Sequence, residues 1–233
     1  MITVKIAGIP IGIDNRFEYV KSISADYLTD DSPEFTVTAT DSDLDREREI
    51  AGEDFSRGYL ESTVAFRKIA EKLPEYDAVV FHGAVIAKGG LAYAFTAKSG
   101  VGKTTHTRLW ISEFGRDVHY INGDKPVIRI IDGVPHVFGT PWRGKEGYGA
   151  NESAPLAAIA LLERGERNTA EVIDPRDGTV RLVKQIYIPN SPVSAALTMR
   201  VADRIISSVR FVELKCNTDS EAAWVAARAM LVE

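Results

Sequence analysis

Apolar and polar residues alternate at period two over Ile2-Thr3-Val4-Lys5-Ile6 and Phe35-Thr36-Val37-Thr38-Ala39, the pattern of half-buried strands. Residues 2–50 therefore read as β-rich and polar, and the acidic-basic run from Asp41 to Glu49 reads as a solvated loop. From about Tyr59 to Lys72 the period lengthens. Leu60, Val64, Phe66 and Ile69 mark the apolar face of a helix, and Pro74 lies beyond its end. Two apolar runs, Ala78 to Ala87 and Leu91 to Thr96, flank Lys88-Gly89-Gly90 and predict a β-hairpin. With Gly89-Gly90 as the turn, Lys88 faces Leu91 and His82 faces Ala97; with Lys88-Gly89, His82 faces Phe95. A helix is predicted over Lys103 to Phe114, with Gly115 as its C-cap, and then a strand over Val118 to Asn122. This strand–helix–strand unit predicts a right-handed crossover to a parallel neighbour, which brings Asp124 to the sheet edge where the earlier strand ends.

Further on, Val127 to Ile131 and Val134 to Phe138 flank Asp132-Gly133 as a second hairpin, and Gly139 to Asn151 is a long Gly-rich loop. Strands are predicted at Leu156 to Glu163, Thr169 to Ile173 and Phe211 to Lys215, and helices near 176–187, 192–208 and 219–231. Strands alternating with helices, with hairpins among them, give an α/β fold with a mixed sheet. No stretch reads as a linker, so the expectation is one domain over 1–233. Residues 1–50 would form a β-rich sub-layer and 59–233 the core.

Between the strand ending at Thr96 and the helix starting at Lys103 lies Ala97-Lys-Ser-Gly-Val-Gly-Lys-Thr104. Backbone N–H groups of such a Gly-rich turn converge on one point, and the helix dipole adds partial positive charge there. The stretch reads as a phosphate-binding P-loop, the alternative being a chance Gly-x-Gly-Lys-Thr in a surface turn. Ser99, Gly100, Val101, Gly102, Lys103, Thr104 and Thr105 would cradle a triphosphate, with Lys103 on its outer phosphates and the Thr104 hydroxyl on Mg²⁺. The motif ordinarily begins with Gly. Ala97 can replace it only where positive φ is not required.

Composition narrows the ligand. A net charge of −5 opposes general nucleic-acid binding, so any basic site must be local. A lone cysteine, Cys216, fits a reducing, cytoplasmic compartment and reads as a small buried apolar residue. No apolar run reaches membrane-spanning length, and the start has no signal-peptide shape.

From Phe81-His82-Gly83 through Ser99-Gly-Val-Gly-Lys-Thr-Thr105 to Gly123-Asp124, the chain resembles the HPr serine kinase/phosphorylase family. The resemblance implies a His-Gly-containing strand, a hairpin, a phosphate loop and an acidic motif on the next strand. Phosphoenolpyruvate carboxykinases share this arrangement. Gly139-Thr-Pro-Trp-Arg-Gly-Lys145 and the stretch from Pro155 to Gly165 look like a branch of small HPr-kinase-related proteins of unassigned substrate. The implied fold is a P-loop fold of the HPr kinase/carboxykinase-like type, with an antiparallel hairpin feeding the loop. Where the kinases carry two adjacent acids this chain has Asp124-Lys125, so a single acidic role carries over.

The implied activity is an ATP- and Mg²⁺-dependent phosphotransfer to a hydroxyl, on a serine of a peptide or small protein or on a small-molecule alcohol. The alternative is an ATPase or nucleotide switch that transfers only to water. Asp124 would serve metal or acceptor hydroxyl, and otherwise reads as a turn residue. Lys125 reads equally as a ligand for phosphate or an acidic substrate and as a surface lysine. His82 reads equally as a catalytic group beside the loop and as a core residue. Arg143 and Lys145 would be mobile loop cations, anchored by Pro141 and Trp142, that close on the transferring phosphoryl. His106, in the first turn of the helix, reads as a solvent or packing residue with a nucleotide contact as the alternative, His119 and His136 read as structural, and Tyr59 and Glu61 carry no assigned chemistry. The acceptor, the choice of ATP over GTP and homo-oligomerisation stay open.

Overall fold

The computed structural model describes residues 1–231. Its larger sheet has nine strands. One part of it, in spatial order, is β7 (Val118–Asn122), β5 (Ala84–Lys88), β6 (Leu91–Thr96), β10 (Ser153–Arg164), β12 (Arg210–Cys216) and β11 (Thr169–Ile173). Strands β6, β10 and β12 are parallel neighbours, whereas β5 and β11 run against them. The first three residues of the long β10 pair instead with β9 (Val134–Phe138). They continue the sheet through β8 (Val127–Ile131) to β4 (Ala78–Val80).

Helices cover both faces, so the central strands are apolar on both sides. Ile159 and Leu161 of β10, with Ala92 and Ala94 of β6, face α5 (Pro175–Val183) and α6 (Pro192–Ser208), where Leu182, Val201 and Ile205 complete the core. Ala158, Ala160 and Leu162, with Tyr93 and Phe95, face α4 (Lys103–Phe114) and α7 (Glu221–Met230) around the fully buried Trp110. A separate three-stranded sheet, β1 (Ile2–Ile6), β2 (Ile9–Asp14) and β3 (Phe35–Thr38), packs on Ala65, Ile69 and Ala70 of α3 (Arg57–Lys72), on the edge strand β4 and on its neighbour β8. Among the described residues, no helix is long and apolar enough to cross a membrane.

Four expectations need correction. The charged run Asp41 to Glu49 is not a loop but a helix, α2 (Asp41–Ala51). It opens with a capping box in which Thr40 and Asp43 satisfy each other's backbone N–H groups, and Gly52 closes it in the left-handed conformation. Only Leu44 and Glu47 of α2 are buried, so its sequence carries almost no apolar stripe. Residues 2–50 are also less purely β than their alternation suggests, because α1 (Glu18–Ile23) lies between β2 and β3.

Next, Ala78 to Ala87 is not one strand. It breaks at Phe81-His82-Gly83, so that β4 joins β8 while β5 alone pairs β6. A Cβ on Gly83 would lie 2.4 Å from the Phe81 ring and 2.9 Å from the Phe95 carbonyl oxygen, so the chain can turn at that point only as glycine. The β5–β6 register places Lys88 opposite Leu91, as the Gly89-Gly90 turn requires. Last, the strand after α4 is parallel to β6 but is not its neighbour, because β5 lies between them.

Candidate functional site

The Ala97–Gly102 loop leaves the end of β6 and enters α4 directly. Gly100 and Gly102 have φ of 79° and 128°, conformations that side-chain-bearing residues rarely adopt. Ala97 is not among the positive-φ residues, so this position accepts a methyl group. Gly102 stands as the N-cap of α4 without a side-chain cap, which leaves the first N–H groups of the helix facing the loop. Lys103 folds back so that its Nζ donates to the Ala97 carbonyl at 3.2 Å. Burial pulls the Lys103 pKa down, and the nearby Asp124 charge only partly restores it. Such an ammonium gains by meeting an anion. Thr104 is half-buried and Thr105 exposed at the helix start, and Lys98, Ser99 and Gly100 are exposed on the loop.

Asp124 reaches this edge from the end of β7. Its turn is fixed by Asn122, which is fully buried: Oδ1 accepts from the backbone N–H groups of Asp124 and Lys125, both at 2.8 Å, and Nδ2 donates to Thr140. His82 comes from the break between β4 and β5. Its N–H donates to the Gln185 carbonyl at 2.7 Å, and its carbonyl accepts from Thr96 Oγ1 at the last residue of β6. These backbone bonds bring His82 Nε2 to 3.4 Å from Asp124 Oδ1, with Lys125 Nζ 4.0 Å from the same oxygen. Burial tends to raise the Asp124 pKa. The His82 hydrogen bond, followed by the charges of Lys125, His82 and Lys103, outweighs it and holds the carboxyl below the usual carboxylate range. Asp124 is therefore ionised at neutral pH and sits among three basic side chains.

The 139–151 loop lies over this turn. Gly123 N–H donates to the Tyr148 carbonyl, Ala150 N–H donates to the Ile121 carbonyl, and a Cβ on Gly144 would lie 2.9 Å from Asp124 Cβ. Trp142 is anchored through Nε1 to Ser62 Oγ and packs on Phe66. Arg143 does not swing free. Its guanidinium bonds Asp26 at 2.9 Å and covers the Tyr27 ring, which holds it against the N-terminal layer. Lys145 is exposed at the loop tip, beside Glu146, which pairs with Arg108 of α4.

Sequence reading did not single out Asn122 or Thr140, which fix the acidic turn, or Arg164, whose guanidinium binds the carbonyls of Gly100 and Val101. Asn122 was detectable in principle, since Asn two residues before an acid is ordinary turn chemistry. Arg164 was not, because its contact depends on β10 lying beside β6. His106 is buried as a packing residue: Trp110 Nε1–H donates to its Nε2, and Cys216 Sγ lies 3.6 Å from Nδ1. His119 pairs with Glu152 at the surface, and His136 Nδ1 lies 3.1 Å from the Val134 carbonyl. Glu61 is a buried carboxylate that accepts from the N–H groups of Arg16 and Phe17, while Tyr59 stacks on Phe55.

Two cavities flank the loop and the Asp124 turn. One, of about 370 Å³, lies between the start of α4 and the ends of β10 and β12, lined by Gly100, Gly102, His106, Arg164, Cys216 and Asn217. The other, of about 140 Å³, lies on the far side, where His82 and Lys125 meet the Lys184–Tyr187 segment. Among the described residues, no group of three or more His, Cys, Asp and Glu side chains could hold a metal ion by themselves.

Comparison with protein-family models gives no match, and no curated protein matches the chain. Among solved structures, the HPr(Ser) kinase/phosphatase from Coxiella burnetii aligns with 55% of this chain and 97% of its own length, at 7% identity and a TM-score of 0.31. A likeness of that degree carries no argument, so the chemistry of the site is read from its own side chains.

Proposed function

We propose that the chain is an ATP-dependent phosphotransferase that moves the γ-phosphoryl group to a hydroxyl. The observation that carries this reading is the meeting, at one sheet edge, of a Gly-rich loop ending in Lys103 with an ionised Asp124 braced by His82. The loop N–H groups and Lys103 would bind the triphosphate. The 370 Å³ cavity beyond Arg164 has the size to take the nucleoside. Mg²⁺ ordinarily binds through one or two protein oxygens plus substrate phosphates, and Thr104 and Asp124 would supply that complement to a metal arriving with the nucleotide.

In the reaction, the acceptor oxygen attacks the γ-phosphorus. The bond from that phosphorus to the bridging oxygen breaks, and its electron pair leaves with the nucleoside diphosphate. The hydroxyl proton passes to Asp124. A carboxylate with a lowered pKa is a weak base, so its main task is orientation, with the proton transferred late in a loose transition state. Transfer to water alone is the competing reading.

Two substitutions test the assignment. Lys103→Ala should abolish triphosphate binding in a calorimetric titration. Asp124→Asn should keep binding within a few-fold and lose about two or more orders of magnitude in turnover. Unchanged nucleotide affinity in Lys103→Ala would remove the loop from the site. Full turnover in Asp124→Asn would return that residue to a purely structural turn.

A further inference from the structure

We propose that the 140 Å³ cavity beside His82 binds the anionic end of a small acceptor, making the substrate a hydroxyl compound that carries a carboxylate or a phosphoryl group; this rests on the phosphotransferase reading above. The chain as a whole is acidic, yet the cavity lining includes Lys125, Lys184 and His82 and no carboxylate. Tyr187 also lines it, but its hydroxyl is already committed to Glu71. The nucleotide does not require these lysines, since the loop and Lys103 serve it from the other side of Asp124. Lys125 follows Asp124 on the turn and lines the cavity, so this side of the site presents a cation and favours a negative ligand.

Placement supports the same conclusion. His82 N–H bonds the Gln185 carbonyl, Phe81 bridges to Ile186, and Tyr187 N–H bonds the Val80 carbonyl. These bonds fix the segment that carries Lys184 against the strand break that carries His82. Lys125 also contacts Asp124, so an anion held by the two lysines has its neighbouring carbons close to the carboxylate that orients the hydroxyl. Size sets the scale. The cavity is less than half the volume of the nucleoside-sized one and well below the roughly 300 Å³ or more that drug-sized ligands occupy. Its apolar wall, from Phe66, Val80 and Ile186, suits a short carbon chain. A three- or four-carbon hydroxy acid or phosphorylated alcohol fits these limits, and a folded protein acceptor has no counterpart for the two lysines unless it presents an acid there.

The test is binding of three probes, glycerate, glycerol 3-phosphate and glycerol, to the full chain by ligand-observed NMR, alongside calorimetric titration with ATP and Mg²⁺. The anions should bind and glycerol should not. Lys184 is exposed at the end of α5, so Lys184→Ala should fold normally and bind ATP unchanged while losing about ten- to a hundredfold in anion affinity, the effect of one charged hydrogen bond. Lys184→Arg should restore most of it. Comparison of glycerate with glycerol 3-phosphate identifies which anion the site prefers. Lys103→Ala should lose ATP but keep glycerate. The proposal is overturned if a protein that binds ATP binds neither anion, if glycerol binds as well as glycerate, if Lys184→Ala changes nothing, or if anion binding disappears with Lys103→Ala. If the anions bind but ATP does not, the nucleotide reading fails and the anion site stands.

Discussion

His106 lies on the helix that follows the Gly-rich loop, and its ring is buried and bonded to Trp110. It lies one turn into α4, close enough to the loop to suggest a contact with nucleotide. Its Nε2 accepts from Trp110, so that nitrogen is unprotonated, and burial depresses the imidazole pKa to about 4. The sign of the linkage follows. The unfolded chain takes up a proton at this residue near pH 6.5, and the folded chain resists it down to about pH 4. Stability is therefore complete above the unfolded value and is lost progressively as pH falls from 6.5 towards 4. Between pH 7 and pH 5 the loss attributable to His106 should be about 2 kcal/mol. His106→Gln, which keeps an acceptor for Trp110, should flatten this part of the profile in urea denaturation. A parent and variant with parallel profiles would assign the pH dependence to the surface carboxylates. Asp124 has the same sign of linkage, but its lowered pKa leaves it ionised throughout this window, so the comparison isolates His106.

At the scale of elements, the site is built from interruptions. His82 is available because β4 and β5 are two strands and not one, and the break depends on Gly83. Gly83→Ala should place a methyl group against Phe81 and the Phe95 carbonyl, costing about 2–4 kcal/mol of stability in denaturant titration. In whatever fraction stays folded, the His82–Asp124 contact should be displaced and turnover should fall more than ATP affinity. If Gly83→Ala retains both stability and turnover, the break is not what positions His82. The same interruption explains what the sequence concealed. Apart from His82 and Gly83, Ala78 to Ala87 is apolar, because both strands are buried, and period-two reasoning has no signal with which to divide such a run. The β5–β6 turn was legible because Gly89-Gly90 dictates its geometry, and the loop-to-α4 junction because its glycines do the same. The helix α2 was missed for the opposite reason: it buries little and so has no periodicity, although Thr40 and Asp43 carried a capping signal. Of the site, Lys103, Asp124 and His82 could be placed from turns and crossovers alone. Arg164, Lys184 and the packing of the 139–151 loop could not, because they depend on which strands and layers meet, and sequence spacing does not encode that.

For the whole molecule, the consequential contact is the one that ties the N-terminal layer to the loop above Asp124. Arg143 pairs with Asp26, Tyr27 OH donates to the Ala150 carbonyl, and Asn151 Nδ2 donates to the Asp26 carbonyl, so the three-stranded layer holds both ends of the segment that packs on the acidic turn. A mobile arginine that meets the phosphoryl group and an arginine that positions the loop make opposite predictions for its partner. If Arg143 acts on the phosphoryl, removing Asp26 frees it and leaves turnover intact or raised. If it acts through the loop, Asp26→Ala and Arg143→Ala break the same link and should lower turnover alike. The double variant should then be no worse than either single one, because the two residues act as a unit. The geometry favours the second outcome, since the guanidinium is held on both its edge and its face by Asp26 and Tyr27. The pair is partly exposed, so the stability change should be small, within about 1 kcal/mol. The expected signature is then a kinetic loss of about three- to tenfold in turnover with ATP affinity preserved, as for a positioning contact. Additive losses in the double variant, or an Asp26→Ala protein faster than the parent, would put Arg143 back at the phosphoryl group and make the N-terminal layer its resting place.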